Sequence, residues 1–140
     1  VTLSSRSLNG RESPLSRLEG LSDNSILEAQ LNANVANFIK SVSTQSKDGD
    51  PFWKRAYQDL LKSVLLYFVG YKPQVEWTNK NLLAFIQSGD LQETLKETCT
   101  AKPNSRCVFW WRRFALVPEQ TAESIIETLL IDLRINMRAV

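Results

Sequence analysis

The stretch DGDPFWKRAYQDLLKSVLLYFVGY, residues 48–71, restricts the fold more than any other part of the chain. Asp50 is a good N-cap, because its carboxylate can accept from backbone N–H groups left free at a helix start. Pro51 then suits the first helical position, where a missing N–H costs nothing. Behind them run two apolar stripes at helical spacing. One is Phe52, Ala56, Leu60 and Val64; the other, beside it, is Trp53, Tyr57, Leu61, Leu65 and Phe68. A helix apolar over so wide an arc must be covered on several sides, so it is the expected centre of the fold. Gly70 is the expected stop.

The rest of the chain supplies the cover. Leu27, Leu31, Val35, Phe38 and Val42 form one stripe, with Ser22 or Asp23 as its cap and the polar run STQSKDGD as its end. Residues 72–99 read as two short helices. Thr78 caps the first, which carries Leu82, Leu83, Phe85 and Ile86. Gly89 breaks it, and Asp90 caps the second, which carries Leu91 and Leu95. TAKPNS reads as a loop, followed by a helix over Ser105–Leu116 and a break at Pro118. A last helix over Glu119–Ile135 places Ala122, Ile125, Ile126, Leu129, Leu130 and Leu133 on its inner side. Residues 1–20 read as a loose arm, ordered only near SRLEGLSD. With 5 Gly and 5 Pro the chain is too poor in turn residues for a sandwich or barrel. The expected fold is all-α: a compact bundle of about six helices over residues 21–140, with no sheet.

Several chemistries have no obvious equipment here. There is no histidine, and so no general base that titrates near neutrality without help. No G-x-x-x-x-G-K-[ST] loop or Gly-rich dinucleotide turn occurs. Glu93 and Glu97, with Lys96 beside them, read as a solvated face rather than a catalytic pair. Cys99 and Cys107 are eight apart; free thiols are expected, with a disulfide between them the alternative, and two thiolates do not complete a tetrahedral metal set. No apolar run nears the roughly 20 residues that cross a bilayer, and none reads as a signal peptide. The chain opens on Val1 rather than Met, as a domain cut from a longer protein would. These features point to a segment that binds rather than catalyses.

The residues that suggest what is bound lie in RCVFWWRRF, residues 106–114. No acid falls between Ala101 and Val117. Lys102, Arg106, Trp110, Arg112 and Arg113 are the candidate partner-binding residues. Neighbours on a helix point about 100° apart, so one of Trp110 and Trp111 is expected in the core and the other near the boundary. Val108, Trp111 and Ala115 share a face, as do Phe109, Arg113 and Leu116. Two readings of the arginines stand open. They pair with acids of the last helix, namely Glu119, Glu123, Glu127 or Asp132, or they face outward to receive phosphates or an acidic segment. A net charge of +2 speaks against a dedicated nucleic-acid protein. Lys54 and Arg55 read as solvated, with Asp59 as the i,i+4 partner of Arg55.

In DPFWKRAYQDLLKSVLLYF the chain resembles the all-α domain of type IV secretion coupling proteins, the VirD4/TraG/TraD class. Asp50, Pro51, Phe52, Trp53, Ala56, Leu60, Leu61 and Phe68 fill that family's D-P-F-W-x-x-A-x-x-L-L segment and its apolar continuation. SRLEGLSDNSILEAQLNANVANFI is similar to the region before it. TAESIIETLL is similar to the family's closing T-x-x-S-I-x-x-T segment, at Thr121, Ser124, Ile125 and Thr128. The resemblance covers most of residues 15–140. It implies a receptor domain inserted in a membrane-anchored, hexameric ATPase at the cytoplasmic face of the bacterial inner membrane. The cargo would be effector proteins, a relaxase–DNA complex, or adaptors. ATP and Mg would belong to the parent protein, with no cofactor in this domain. Some members' all-α domains resemble DNA-binding recombinase domains, which makes DNA contact the alternative; a purely structural helical insertion is the third. Trp110, Trp111, Arg112 and Arg113 have no recognised family counterpart.

Overall fold

The structure, a computed structural model, describes residues 13–21, 24–42 and 50–138. It is all-helical, with no strand among these residues. The helices are α1 (Asn24–Val42), α2 (Pro51–Tyr71), a 3-10 turn (Gln74–Glu76), α3 (Asn79–Gln87), α4 (Asp90–Ala101), α5 (Arg106–Phe114) and α6 (Glu119–Arg138). The compact all-α bundle expected from the sequence is what forms. Residues 1–12, the Ser22/Asp23 cap and residues 43–49 of the polar run lie outside the described residues.

Helix α2 is the centre. Asp50 Oδ1 accepts from the Trp53 backbone N at 3.2 Å, and Pro51 occupies the first turn. Both apolar stripes are buried apart from Phe52, and Leu66 is buried with them. The most extensive helix–helix contact is between α2 and α5, and α1 and α6 also pack on α2. Phe52, in the first turn, keeps 52% of its surface exposed.

The stop of α2 is not at Gly70. The helix runs on to Tyr71, and Lys72 turns extended ahead of Pro73, which excludes helical geometry from the residue before it. The Lys72 backbone N–H donates to the Phe68 carbonyl at 3.0 Å and closes the last turn, and the Trp77 side chain folds back onto this end. The Trp77 indole Nε1 donates to the Phe68 and Lys72 carbonyl oxygens, at 3.1 and 3.0 Å. A second correction concerns α4. Gly89, at φ +85°, is its N-cap, and Asp90 is already helical, its backbone N donating to Ser88 Oγ at 3.1 Å. Such a left-handed φ strains any residue with a Cβ, so glycine holds the cap position. Thr78 caps α3 as expected, accepting from Asn81 N at 3.1 Å. Thr100 and Ala101 complete α4 rather than opening the loop, and α5 stops at Phe114, with Ala115 and Leu116 in a turn.

The stripe of α1 is buried throughout. Its polar neighbour Asn34 is buried too, and seats the segment ahead of the helix. Asn34 Nδ2 donates to the carbonyls of Pro14 and Ser16, at 2.9 and 2.6 Å, while Gln30 Nε2 donates to Asn34 Oδ1 at 2.9 Å. Leu15 and Leu18 thereby join the core. The arm expected over residues 1–20 is thus packed at its end.

One buried polar contact joins the centre to α6. The Tyr57 hydroxyl donates to Asp132 Oδ2 at 2.5 Å, with both residues fully buried. Asp132 Oδ1 has no partner among the described residues. Burial pushes the Asp132 carboxyl up to about 6, and the Tyr57 hydrogen bond offsets only part of that.

Two stability predictions follow from these contacts. Trp53 is buried and stacked on Tyr57 at 5.7 Å, so Trp53→Ala should cost about 3–5 kcal/mol in urea unfolding; an unshifted midpoint would show that Trp53 is not core. Because folding raises the Asp132 pKa above its unfolded value, the folded state holds that proton more tightly. Stability from this group is therefore complete below about pH 4, is lost as pH rises to about 6, and is level above. Asp132→Asn should remove this fall, on the order of 2 kcal/mol, when urea unfolding is compared at pH 4 and pH 7.

Candidate functional site

Helix α5 has a sharply divided surface. Cys107, Val108, Trp111 and Phe114 are buried against the core. Phe109 and Leu116 are 57% and 84% exposed on the opposite side, with Arg112 exposed between them. Trp111 is thus the core tryptophan and Trp110 the half-buried boundary one, as the 100° step requires. Ala115, expected beside Val108 and Trp111, is exposed because the helix has already ended.

The two arginines have different fates. Arg113 turns inward, and its partner is on α2 rather than on the last helix: Nε donates to Asp59 Oδ2 at 3.3 Å. Asp59 is buried, a place not expected of a surface i,i+4 partner for Arg55. Burial pushes its carboxyl up, and the charges of Arg113, Lys62 and Arg55 pull it back only in part. The Arg113 guanidinium also lies 5.3 Å from the Trp110 ring centroid and 6.0 Å from that of Phe109. On Trp110 a second cation is seated, with Lys62 Nζ 4.3 Å from the ring centroid. Trp110 itself meets Phe109 edge to face at 4.8 Å. Lys62, Trp110, Arg113 and Asp59 form a continuous ladder of charge–ring and charge–charge contacts that pins α5 to α2. Arg112 has no ion-pair partner among the described residues, and neither arginine meets Glu119, Glu123 or Glu127. Asp132, the fourth acid considered, is occupied by Tyr57.

The remaining candidates lie around the helix start. The Arg106 guanidinium donates to Asn24 Oδ1 at the first residue of α1. Lys102 and Arg106 line a hollow of about 770 Å³ walled by Leu18, Leu21, Tyr71 and Trp77. Arg106 and Trp110 share a smaller hollow with Glu28. Arg112 and Arg113 line a different groove, of about 710 Å³, with Phe109 and Leu116. The five residues therefore do not converge on one point. They divide into a mouth at the start of α5 and a groove along its outer face, with Trp110 between.

Sequence reasoning singled out the cations and Trp110, and put Phe109 and Leu116 on one face with Arg113, but did not count these two apolar residues among the site. Their shared spacing was the available signal, although the helix ends at Phe114, before Leu116. Phe52 carries no such signal, since its spacing places it in a core stripe. It joins Arg55 and Asp59 in a recess continuous with the groove through Arg113 and Leu116.

Both cysteines are free, and burial pushes the Cys107 thiol up, away from the reactive thiolate. No group of three or more His, Cys, Asp or Glu that could hold a metal ion occurs among the described residues, and no described helix is long and apolar enough to cross a membrane. No family model, no curated protein and no solved structure matches the chain.

Arg113→Met would leave Asp59 buried without its hydrogen-bonded counter-charge. A loss on the order of 1–3 kcal/mol is expected at pH 7 by urea unfolding. The loss should shrink toward pH 4, where Asp59 takes up a proton more readily, and a double substitution with Asp59→Asn should recover most of it. Equal losses at both pH values would show that packing of the arginine stem, not charge, is what the substitution removes.

Proposed function

We propose that the chain is a protein-recognition module, the cargo- or adaptor-receiving all-α domain of a type IV secretion coupling protein. The observation that carries a binding role is the outer face of α5. Large apolar side chains stand exposed there beside arginines, although the same helix has an ample buried side. Phe109 and Leu116 line one groove rather than standing singly, and a shared exposed apolar patch is what marks a binding surface. The ordered likeness of three segments to the coupling-protein domain supports the particular family. In this reading the parent ATPase sits at the cytoplasmic face of the bacterial inner membrane. Its cargo is effector proteins, a relaxase or an adaptor, with DNA contact as the alternative.

Titration of the 140-residue chain with synthetic C-terminal tails of secreted effectors and relaxases, and with adaptor proteins, tests this. Saturable binding in the micromolar range by at least one class is expected, as for a transient signalling interface. Binding by none of them would sink the recognition reading. If single- or double-stranded DNA alone binds, with affinity falling steeply as salt rises, the DNA-contacting alternative replaces it.

A further inference from the structure

We infer that the groove along the outer face of α5 docks an acidic amphipathic helix of a partner protein, seated on Phe109, Leu116 and Phe52 and held by Arg112 and Arg55. The inference rests on reading the chain as a protein-recognition module, and it names the chemistry that module selects.

The floor of the site is apolar and built on fixed backbone. Phe109 on α5 and Leu116 in the turn just after it both line the groove of about 710 Å³. The recess beyond Leu116 adds Phe52 and Val117, so the apolar track continues from α5 onto the first turn of α2. The ladder that ties Arg113 to Asp59 and Trp110 holds α5 at its angle, so the track is formed before any partner arrives.

The charges around this floor are unbalanced. Arg112 and Arg55 are exposed, and Arg113 is partly so. Among the described residues the only acid lining either part is Asp59, which is buried and already engaged by Arg113. Glu119, Glu123 and Glu127 lie on α6 and line neither part. An incoming segment with carboxylates beside its apolar residues would place them against Arg112 and Arg55, whose planar guanidinium groups suit bidentate pairing.

The partner's conformation follows from the walls. Every regular element here is a helix, whose backbone groups are already paired. No strand edge exists among the described residues to receive an extended peptide by backbone hydrogen bonds. A segment docking here must satisfy its own backbone, which an amphipathic helix does, with anchors at i, i+4 and i+7 that can follow the apolar track from Phe109 past Leu116 to Phe52. Nucleic acid fits less well. Three exposed apolar side chains offer phosphates nothing, and Asp59 sits where a phosphate would approach Arg113.

The test uses the 140-residue chain and a fluorescein-labelled, helix-forming peptide. The peptide carries Leu at i, i+4 and i+7, with Glu at the flanking positions. Fluorescence anisotropy should show saturable binding that weakens about tenfold or more in Leu116→Asp and in Arg112→Glu. A matching peptide with Lys for Glu should fail on the wild type and gain affinity for Arg112→Glu. Both substituted positions are exposed, and an unchanged far-UV circular dichroism spectrum and urea midpoint would verify folding. Absence of binding, or binding indifferent to Leu116→Asp, overturns the inference. So does binding of a 20-nucleotide DNA, but not the peptide, that is lost in Arg112→Glu. Self-association in sedimentation that Leu116→Asp abolishes and the peptide cannot compete would overturn it in favour of a second copy of this chain. Secreted tails that bind wild type and Leu116→Asp equally would leave the recognition role standing and overturn this groove. Peptide binding at the groove with no tail or adaptor bound would uphold the groove and sink the cargo reading.

Discussion

Helix α2 has almost no wet side, and the arrangement of the molecule follows from that. Two adjacent apolar stripes, with Leu66 and the buried Asp59 and Ser63 beside them, leave few positions that water can solvate. Such a helix is stable only when other elements enclose it, because most of its free energy of folding comes from removing this surface from water. Helices α1, α5 and α6 each bring a single apolar stripe to it, and α3 and α4 close the bundle through α6 and α5. The polar side chains caught inside must then find partners within α2 or on the enclosing helices. Ser63 bonds within α2 to the Leu60 carbonyl, while Tyr57 reaches Asp132 on α6 and Asp59 reaches Arg113 on α5.

The pairing of Asp59 with Arg113 determines what α5 shows to the outside. An ionised carboxylate buried at this position needs a counter-charge close by, since desolvation disfavours the charged form. Arg113 supplies it and is drawn toward α2, where it also lies against Trp110 and Phe109. A guanidinium held in this way contributes little to any outside partner. The next residue back, Arg112, is rotated about 100° from it and remains in solvent. Adjacent arginines of the same type therefore do different work, one fastening the helix and one furnishing its surface.

Much of the fold was legible because it depends on neighbours in sequence. The caps at Asp50 and Thr78 act within three residues, and the buried positions of α1 and α6 recur at the helical period. The features that were not legible depend on distant contacts or on exact backbone geometry. Gly70 resembles a stop, yet the helix end is determined by Pro73 and by the Trp77 indole donating back to Phe68 and Lys72. Asp90 resembles a cap, yet the left-handed backbone required there falls on Gly89. Phe52 has core spacing, yet it is left 52% exposed in the first turn of α2. In the candidate site, the core role of Trp111 was readable from the helical step, whereas the separation of Lys102 and Arg106 from Arg112 and Arg113 was not.

The sequence by itself determined the helix pattern, the identity of the central helix and the clustering of cations without acids around residues 102–113. Each of these is a matter of spacing and composition along the chain. Only the tertiary structure decided which acid meets which arginine and which large apolar residues are left in water. Asp59 and Arg113 are 54 residues apart, and nothing in the sequence between them encodes the approach. It arises because α2 must be enclosed, and enclosing it brings α5 across the face on which Asp59 lies.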